Sequence, residues 1–202
     1  MTVEPESAGT PEQPLRPSRG ARWWLTRGAL ALAAGFAAVV AFAYVLPREP
    51  VVTRSIDLAL PAAKVLPLVA DLRHFPEWSP WFVPDPAIAI TFTGPLDGLG
   101  QTLTWNSKLA EVGTGKMTVT AADNNGADIL VAFADQGTAK SWFRLQPKGE
   151  ALTTVAWSFS TDLGMSPINR YSGLWIGNIV GPDFERGLAR LKAVAEAAPK
   201  PG

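Results

Sequence analysis

Residues 72–82 read LRHFPEWSPWF, packing four aromatic rings, two prolines and the chain's only histidine into one short connection. The stretch follows a short helical pattern and precedes a long run of strand patterns, so its rings are placed to cover the open end of whatever the strands build. Either His74 and Glu77 do chemistry there, or Phe75, Trp78, Trp81 and Phe82 close a pocket.

Upstream, Val52–Leu60 alternates, with Ile56, Leu58 and Leu60 on one face and Asp57 and Ala59 on the other, the period of a half-buried strand. Pro61 suits the first turn of a helix through Asp71 that groups Val65, Leu68 and Val69. Downstream, 88–162 reads as successive antiparallel strands separated by turn signals. Leu103 pairs in phase with Trp105, Met117 with Val119, Ile129 with Val131 and Phe133, Ser141 with Phe143 and Leu145, and Val155 with Trp157 and Phe159. Asn124-Asn125-Gly126 is the clearest hairpin turn, since Asn and Gly tolerate positive φ. With the first strand this predicts about seven strands, enough for a sheet to curl. The chain closes on an amphipathic helix carrying Ile176, Val180, Phe184, Leu188, Leu191 and Ala195, which Pro182 either kinks or restarts.

The N-terminal part has another character. Residues 1–22 hold four prolines and no hydrophobic period, which predicts a disordered arm. Residues 23–46 read as a transmembrane helix: Gly28–Leu46 runs about 19 residues without a charge, about 28 Å of helix, the thickness of a hydrocarbon core. A buried helix of the soluble fold is the alternative, but an all-round apolar surface flanked by Trp23, Trp24 and Arg27 favours lipid. Arg16, Arg19, Arg22 and Arg27 precede the span and Arg48 follows it, so the positive-inside rule puts the N-terminus in the cytoplasm and the soluble domain outside. A cleaved signal peptide ending near Ala41-Phe42-Ala43 is the rival; the long arm and long apolar run favour an uncleaved anchor. Residues 47–51 form a linker, 52–198 the soluble domain and 199–202 a tail.

Of 202 residues 47% are hydrophobic, enough for one well-buried domain plus an appendage. Eighteen basic and eighteen acidic residues cancel, leaving no global field to gather nucleic acid. The absence of cysteine removes thiolate chemistry and disulfides, and a single histidine excludes multi-histidine metal sites.

The order strand, short helix, aromatic connection, antiparallel strands and long final helix resembles the START-like helix-grip superfamily, SRPBCC, in its polyketide cyclase/dehydrase-like branch. The likeness spans roughly 51–198. It is carried by VTRSIDLALPAAKVLPLVADLRHFPEWSPW, VGTGKMTVT, TTVAWSFS and GPDFERGLARLK. It implies an α+β fold in which a curved antiparallel sheet wraps the C-terminal helix around a cavity for lipids, polyketides or other apolar molecules. No catalytic motif is shared across the family, so fold and function are separate questions.

On this reading the apolar strand faces turn toward the final helix. The candidate ligand-binding residues are Phe75, Trp78 and Trp81 at the rim, Trp105, Met117, Phe133, Phe143, Trp157 and Phe159 on the sheet, and Trp175 and Ile179 near the final helix. Rings fill space as readily as they line it, so a filled core is the alternative.

His74 and Glu77 are weak catalytic candidates: an imidazole titrates near neutrality, and Asp71 or Glu77 lies three residues away. Ser79 lacks the elbow of a nucleophile. Asp57, Glu77, Glu111 and Asp162 have no pairing spacing, and surface positions are their default. Asn106, Lys108 and Arg144 are the strand-region polar residues best suited to orient a head group, with Trp142 beside Arg144 as a stacking pair. Gly94, Gly98, Gly100, Gly113 and Gly115 lack the lysine and helix of a phosphate loop.

The function expected is therefore a membrane-anchored binding protein for a hydrophobic small molecule or lipid, with a cyclase/dehydratase-like enzyme as the alternative and a scaffold with a collapsed pocket as a third. No cofactor, metal or nucleic acid is called for.

Overall fold

A computed structural model describes residues 19–82, 85–110, 112–134 and 137–197. The chain divides into two compact units, one through Phe42 and one from Ala43. Most of the predicted disordered arm and the C-terminal tail lie outside the described residues.

Helix α1, Arg19–Ala43, makes up the described part of the first unit and ends on the first residue of the second. It starts four residues before the expected span and ends three residues early. The early stop has a local cause: Leu46 N–H closes a turn on Ala43 O, and Leu46 O then accepts from Arg170. Within α1, Arg22–Ala43 is long and apolar enough to cross a membrane, by length and composition.

The second unit is an α+β domain. Strands β1 (Val51–Leu58), β2 (Ala89–Thr93), β3 (Thr102–Asn106), β4 (Thr114–Asp123), β5 (Gly126–Phe133), β6 (Gly137–Pro147) and β7 (Thr153–Thr161) form one curved antiparallel sheet. Its order is β1-β7-β6-β5-β4-β3-β2, so β1 and β2, adjacent in sequence, lie at opposite edges. The connection between them must cross the sheet, and it does so as α2 (Ala62–Ala70) and α3 (Phe75–Trp78). This is how the sequence around residues 72–82 comes to cover the inner face.

β1 ends at Leu58, two residues before its predicted end, because pairing with β7 stops at Leu58↔Thr153 and Leu60 O instead accepts the Thr153 hydroxyl. A short helix not foreseen from the sequence, α4 (Pro167–Ser172), follows β7. Helix α5 (Ile176–Ala197) then runs unbroken through Pro182 and buries Phe184, Leu188, Leu191 and Ala195. Pro182 lies in its second turn with its ring exposed, where it removes one backbone donor without ending the helix.

The hairpin at Asn124-Asn125 is present, but neither asparagine has positive φ. Asn125 N–H bonds to the Asp123 carboxylate at 2.7 Å, an Asx turn, and the positive φ falls on Gly126 alone. A Cβ at Gly126 would lie 2.0 Å from Phe143 O, so the close approach of β6 also requires glycine.

The core fills the space between the sheet, α2, α3 and α5. Trp157 is its centre. Phe184 stacks on it at 4.0 Å and Phe143 at 5.2 Å, while Phe75, Trp78 and Trp81 meet it edge-on at 5.3–6.0 Å. Each such pair adds about 0.5–1.5 kcal/mol beyond the area it buries. Two buried polar groups fix the aromatic connection. Trp78 Nε1 donates to Leu68 O at 2.9 Å, tying α3 to α2. Gln101, fully buried, accepts from Leu72 N–H at 2.8 Å and donates to Asp71 and to Leu96 O. Satisfied on both sides, that amide ties the start of the 72–82 stretch to the loop before β3.

Candidate ligand cavity

Period-two alternation on twisted strands places every second residue of β3–β7 on the concave face, as far as the register shift between Val119 and Ala121 in β4, and register aligns them in rows. One row runs Val119, Ile129, Ser141, Phe159, Val52; another runs Trp105, Gly115, Phe133. Between these rows, the 72–82 rings and α5, the packing leaves a cavity of about 190 Å³. Phe75, Trp81 and Phe82 wall it from the aromatic connection, Trp105, Met117, Ile129, Val131, Phe133, Ser141 and Phe159 from the sheet, Val112 from the loop before β4, and Val180 from α5.

The opening at Gly115 makes room for Trp105. A Cβ there would lie 2.4 Å from the indole and 2.6 Å from Ala132 O, so the absence of a side chain lets the ring lie across β4. Trp105 Nε1 is spent on Val112 O at 3.2 Å and Trp81 Nε1 on Asp183 at 3.4 Å, which turns the apolar bodies of both indoles to the cavity.

The only polar side chain among the described lining residues is Ser141. Its hydroxyl accepts from Trp157 Nε1 at 2.8 Å and donates to Ser158 O at 3.3 Å, leaving one lone pair uncommitted. A hydroxyl so placed can orient a donor on a bound molecule; among the described residues no hydrogen bond joins it to a base that would make it a nucleophile.

Of the eleven candidate ligand-binding residues, the structure brings six together around the cavity: Phe75, Trp81, Trp105, Met117, Phe133 and Phe159. Trp78, Phe143 and Trp157 are fully buried and lie behind the lining, where they pack on one another. Trp175 and Ile179 are outside it, 57% and 70% exposed. They precede the point at which α5 turns its apolar face inward, and Val180, one residue on, takes the place expected of Ile179. Ile129, Val131 and Ser141 were legible as strand residues in phase with the lining. Val112, in an irregular loop, carried no such signal.

His74 and Glu77 pair with each other, Nδ1 to Oε1 at 2.9 Å, on the exposed surface of α3 and away from the cavity. Asp71 instead binds Arg73 N–H and Gln101. Asp57 lies in an exposed cluster where the Thr154 hydroxyl and then Lys148 hold its carboxyl below the usual range. Asp162 is bound by both arms of Arg48, at 2.6 and 2.7 Å, and by Gly164 N–H, which together lower its pKa to about 2. Burial would raise these values; the lowering marks them as surface ion pairs. Glu111 lies outside the described residues. Asn106 and Lys108 are exposed, and Arg144 pairs with Asp128 at 2.5 Å on the solvated side. Among the described residues no group of three potential metal ligands occurs.

No curated protein matches the chain. Solved structures do. The Zhui aromatase/cyclase from Streptomyces sp. R1128 is 15% identical, with TM-score 0.52 over 73% of this chain and 94% of that one. A truncated norcoclaurine synthase from Thalictrum flavum is 14% identical, with TM-score 0.53 over 75% and 96%. A Thermobifida fusca protein is 20% identical, with TM-score 0.53 over 72% and 93%. At these identities the likeness is one of fold. Residues 49–196 match the family described as polyketide cyclase / dehydrase and lipid transport, which spans the domain from β1 nearly to the end of α5. The chain belongs to that family, within the SRPBCC superfamily.

Proposed function

We propose that this protein is a membrane-anchored binder of a hydrophobic small molecule or lipid, held between the sheet and α5. The observation that carries the reading is the cavity: about 190 Å³, walled by rings and aliphatic side chains, with one hydroxyl among its described lining. An apolar cavity of about 150 Å³ accepts a benzene-sized guest, so this one, at about 190 Å³, suits one or two small rings or a short length of acyl chain. Phe75, Trp81, Trp105, Met117, Phe133 and Phe159 contact the guest, and the Ser141 hydroxyl accepts a hydrogen bond from it. A cyclase/dehydratase needs an acid or base at the substrate, and none of the described lining residues supplies one.

Helix α1 spans the bilayer uncleaved, with the arginines at its N-terminal end in the cytoplasm and the binding domain on the other side. Such a tether keeps the pocket concentrated where an apolar ligand partitions.

Native mass spectrometry of the full chain in lipid nanodiscs, with and without added naphthalene as a ring-sized probe, tests the binding. A retained apolar mass, or quenching of tryptophan fluorescence by naphthalene that saturates, is the expected result; neither appearing overturns the reading.

A further inference from the structure

Between Asp162 and Asp183 the only charged residue is Arg170. Its side chain is turned inward. The residue is 7% exposed, Nε donates to Gly164 O at 3.1 Å and Nη1 to Leu46 O at 2.9 Å, and its guanidinium sits 5.6 Å from the centre of the Tyr44 ring. Beside the uncharged Asn169, Ser172 and Asn178, what the segment exposes is large and apolar: Met165, Ile168, Leu174, Trp175 and Ile179 are all more than half exposed, Ile168 to 80%. Turn hydrogen bonds from Leu174, Trp175 and Ile179 carry the backbone continuously from α4 into α5, and Trp175 and Ile179, four apart, share one face. An exposed apolar surface of this kind marks an interaction site.

The chain path indicates the partner. Arg170 holds Leu46 O, and Leu163 N–H bonds to Arg48 O at 3.0 Å, so the segment is fastened to residues 46–48. Ala43, the last residue of α1, is three residues from Leu46, a reach of about 10 Å at most. If α1 crosses a bilayer, the chain holds this surface within reach of the lipid headgroups. Its chemistry suits them: large aliphatic side chains, a tryptophan, and no outward charge.

We propose that the α4–α5 segment, through Ile168, Leu174, Trp175 and Ile179, docks on the boundary between headgroups and acyl chains of the bilayer that α1 enters, an inference that rests on the membrane reading above. Val180, which follows Ile179, lines the cavity, so the wall of the pocket adjoins the docked surface and an apolar ligand meets the domain at the lipid.

The chain has no cysteine, so single cysteines can carry an environment-sensitive fluorophore in the full protein. Leu32→Cys reports on α1, Ile168→Cys and Ile179→Cys on the docking surface, and Asn124→Cys on the β4–β5 turn. Each labelled protein is placed in phosphatidylcholine vesicles with and without nitroxide-bearing acyl chains. The expected result is blue-shifted emission and nitroxide quenching at residues 32, 168 and 179, with neither at 124. Quenching at 32 with water-like emission at 168 and 179 overturns the docking and leaves the anchor standing. Absence of quenching at 32 overturns the membrane reading and the docking with it. Blue-shifted but unquenched labels at 168 and 179 mean that protein covers the surface, and also overturn the proposal.

Discussion

Trp157 and Phe184 stack nearly parallel, their centroids 4.0 Å apart and their planes 5° apart, so the strand beside β1 and the helix that closes the fold meet through two flat faces. The contact sets the distance between sheet and α5, and with it the depth of the cavity. Phe184→Ala is expected to destabilise the domain by about 3–5 kcal/mol, the usual cost of truncating a fully buried phenylalanine. Denaturant unfolding followed by near-ultraviolet circular dichroism checks this.

Ser141 serves Trp157 as well as the cavity. Ser141→Ala leaves the indole N–H buried without its acceptor, which costs about 1–3 kcal/mol. Trp157→Phe removes the donor, so the double variant should lose less than the sum of the two single losses. A double-mutant cycle on unfolding free energy reads the coupling; strict additivity would argue against the hydrogen bond.

Gly115→Ala places a methyl group against the Trp105 ring and Ala132 O. Overpacking of this kind costs about 1–3 kcal/mol. Since Trp105 lines the cavity, its displaced ring should also weaken binding of naphthalene, measurable by fluorescence titration beside an unfolding curve.

Val131→Phe fills cavity volume with side chain while keeping the β5 phase. Stability should change little if the ring enters the existing space, whereas affinity for a ring-sized ligand should fall at least tenfold, or about 1.4 kcal/mol. Calorimetric titration alongside thermal unfolding separates the two effects.

The Arg48–Asp162 pair sets a pH dependence. The carboxyl pKa is lowered to about 2 in the folded chain from 3.8, so its stabilising contribution is complete above the unfolded value and is lost as pH falls through the folded one. The pair is well exposed, so the contribution is small. Asp162→Asn is expected to flatten the loss of stability between about pH 4 and pH 2, as read by denaturant midpoints across that range.

Much of the fold was legible from residues 52–198. Seven strands follow from runs such as Leu103 with Trp105 and Val155 with Trp157, because a pleated strand with one buried face must alternate. The final helix follows from the spacing of Phe184, Leu188 and Leu191. The family likeness was legible for the same reason, since it lies in the order of these patterns. What local pattern cannot convey is which buried ring faces a void and which faces another ring. Phe143 and Phe133 have the same phase on neighbouring strands, yet one packs on Trp157 and the other lines the cavity, a difference decided by distance from α5 and the 72–82 rings. Trp175 and Ile179 show the same limit at a helix start, where the turn between α4 and α5 sets which side chains point outward. His74, conspicuous as the only histidine, was placed at the surface by the helical turn that pairs it with Glu77. Composition and period thus determined the elements and their inward faces; only tertiary packing decided where those faces leave space, because a cavity is a property of several elements meeting and of none alone.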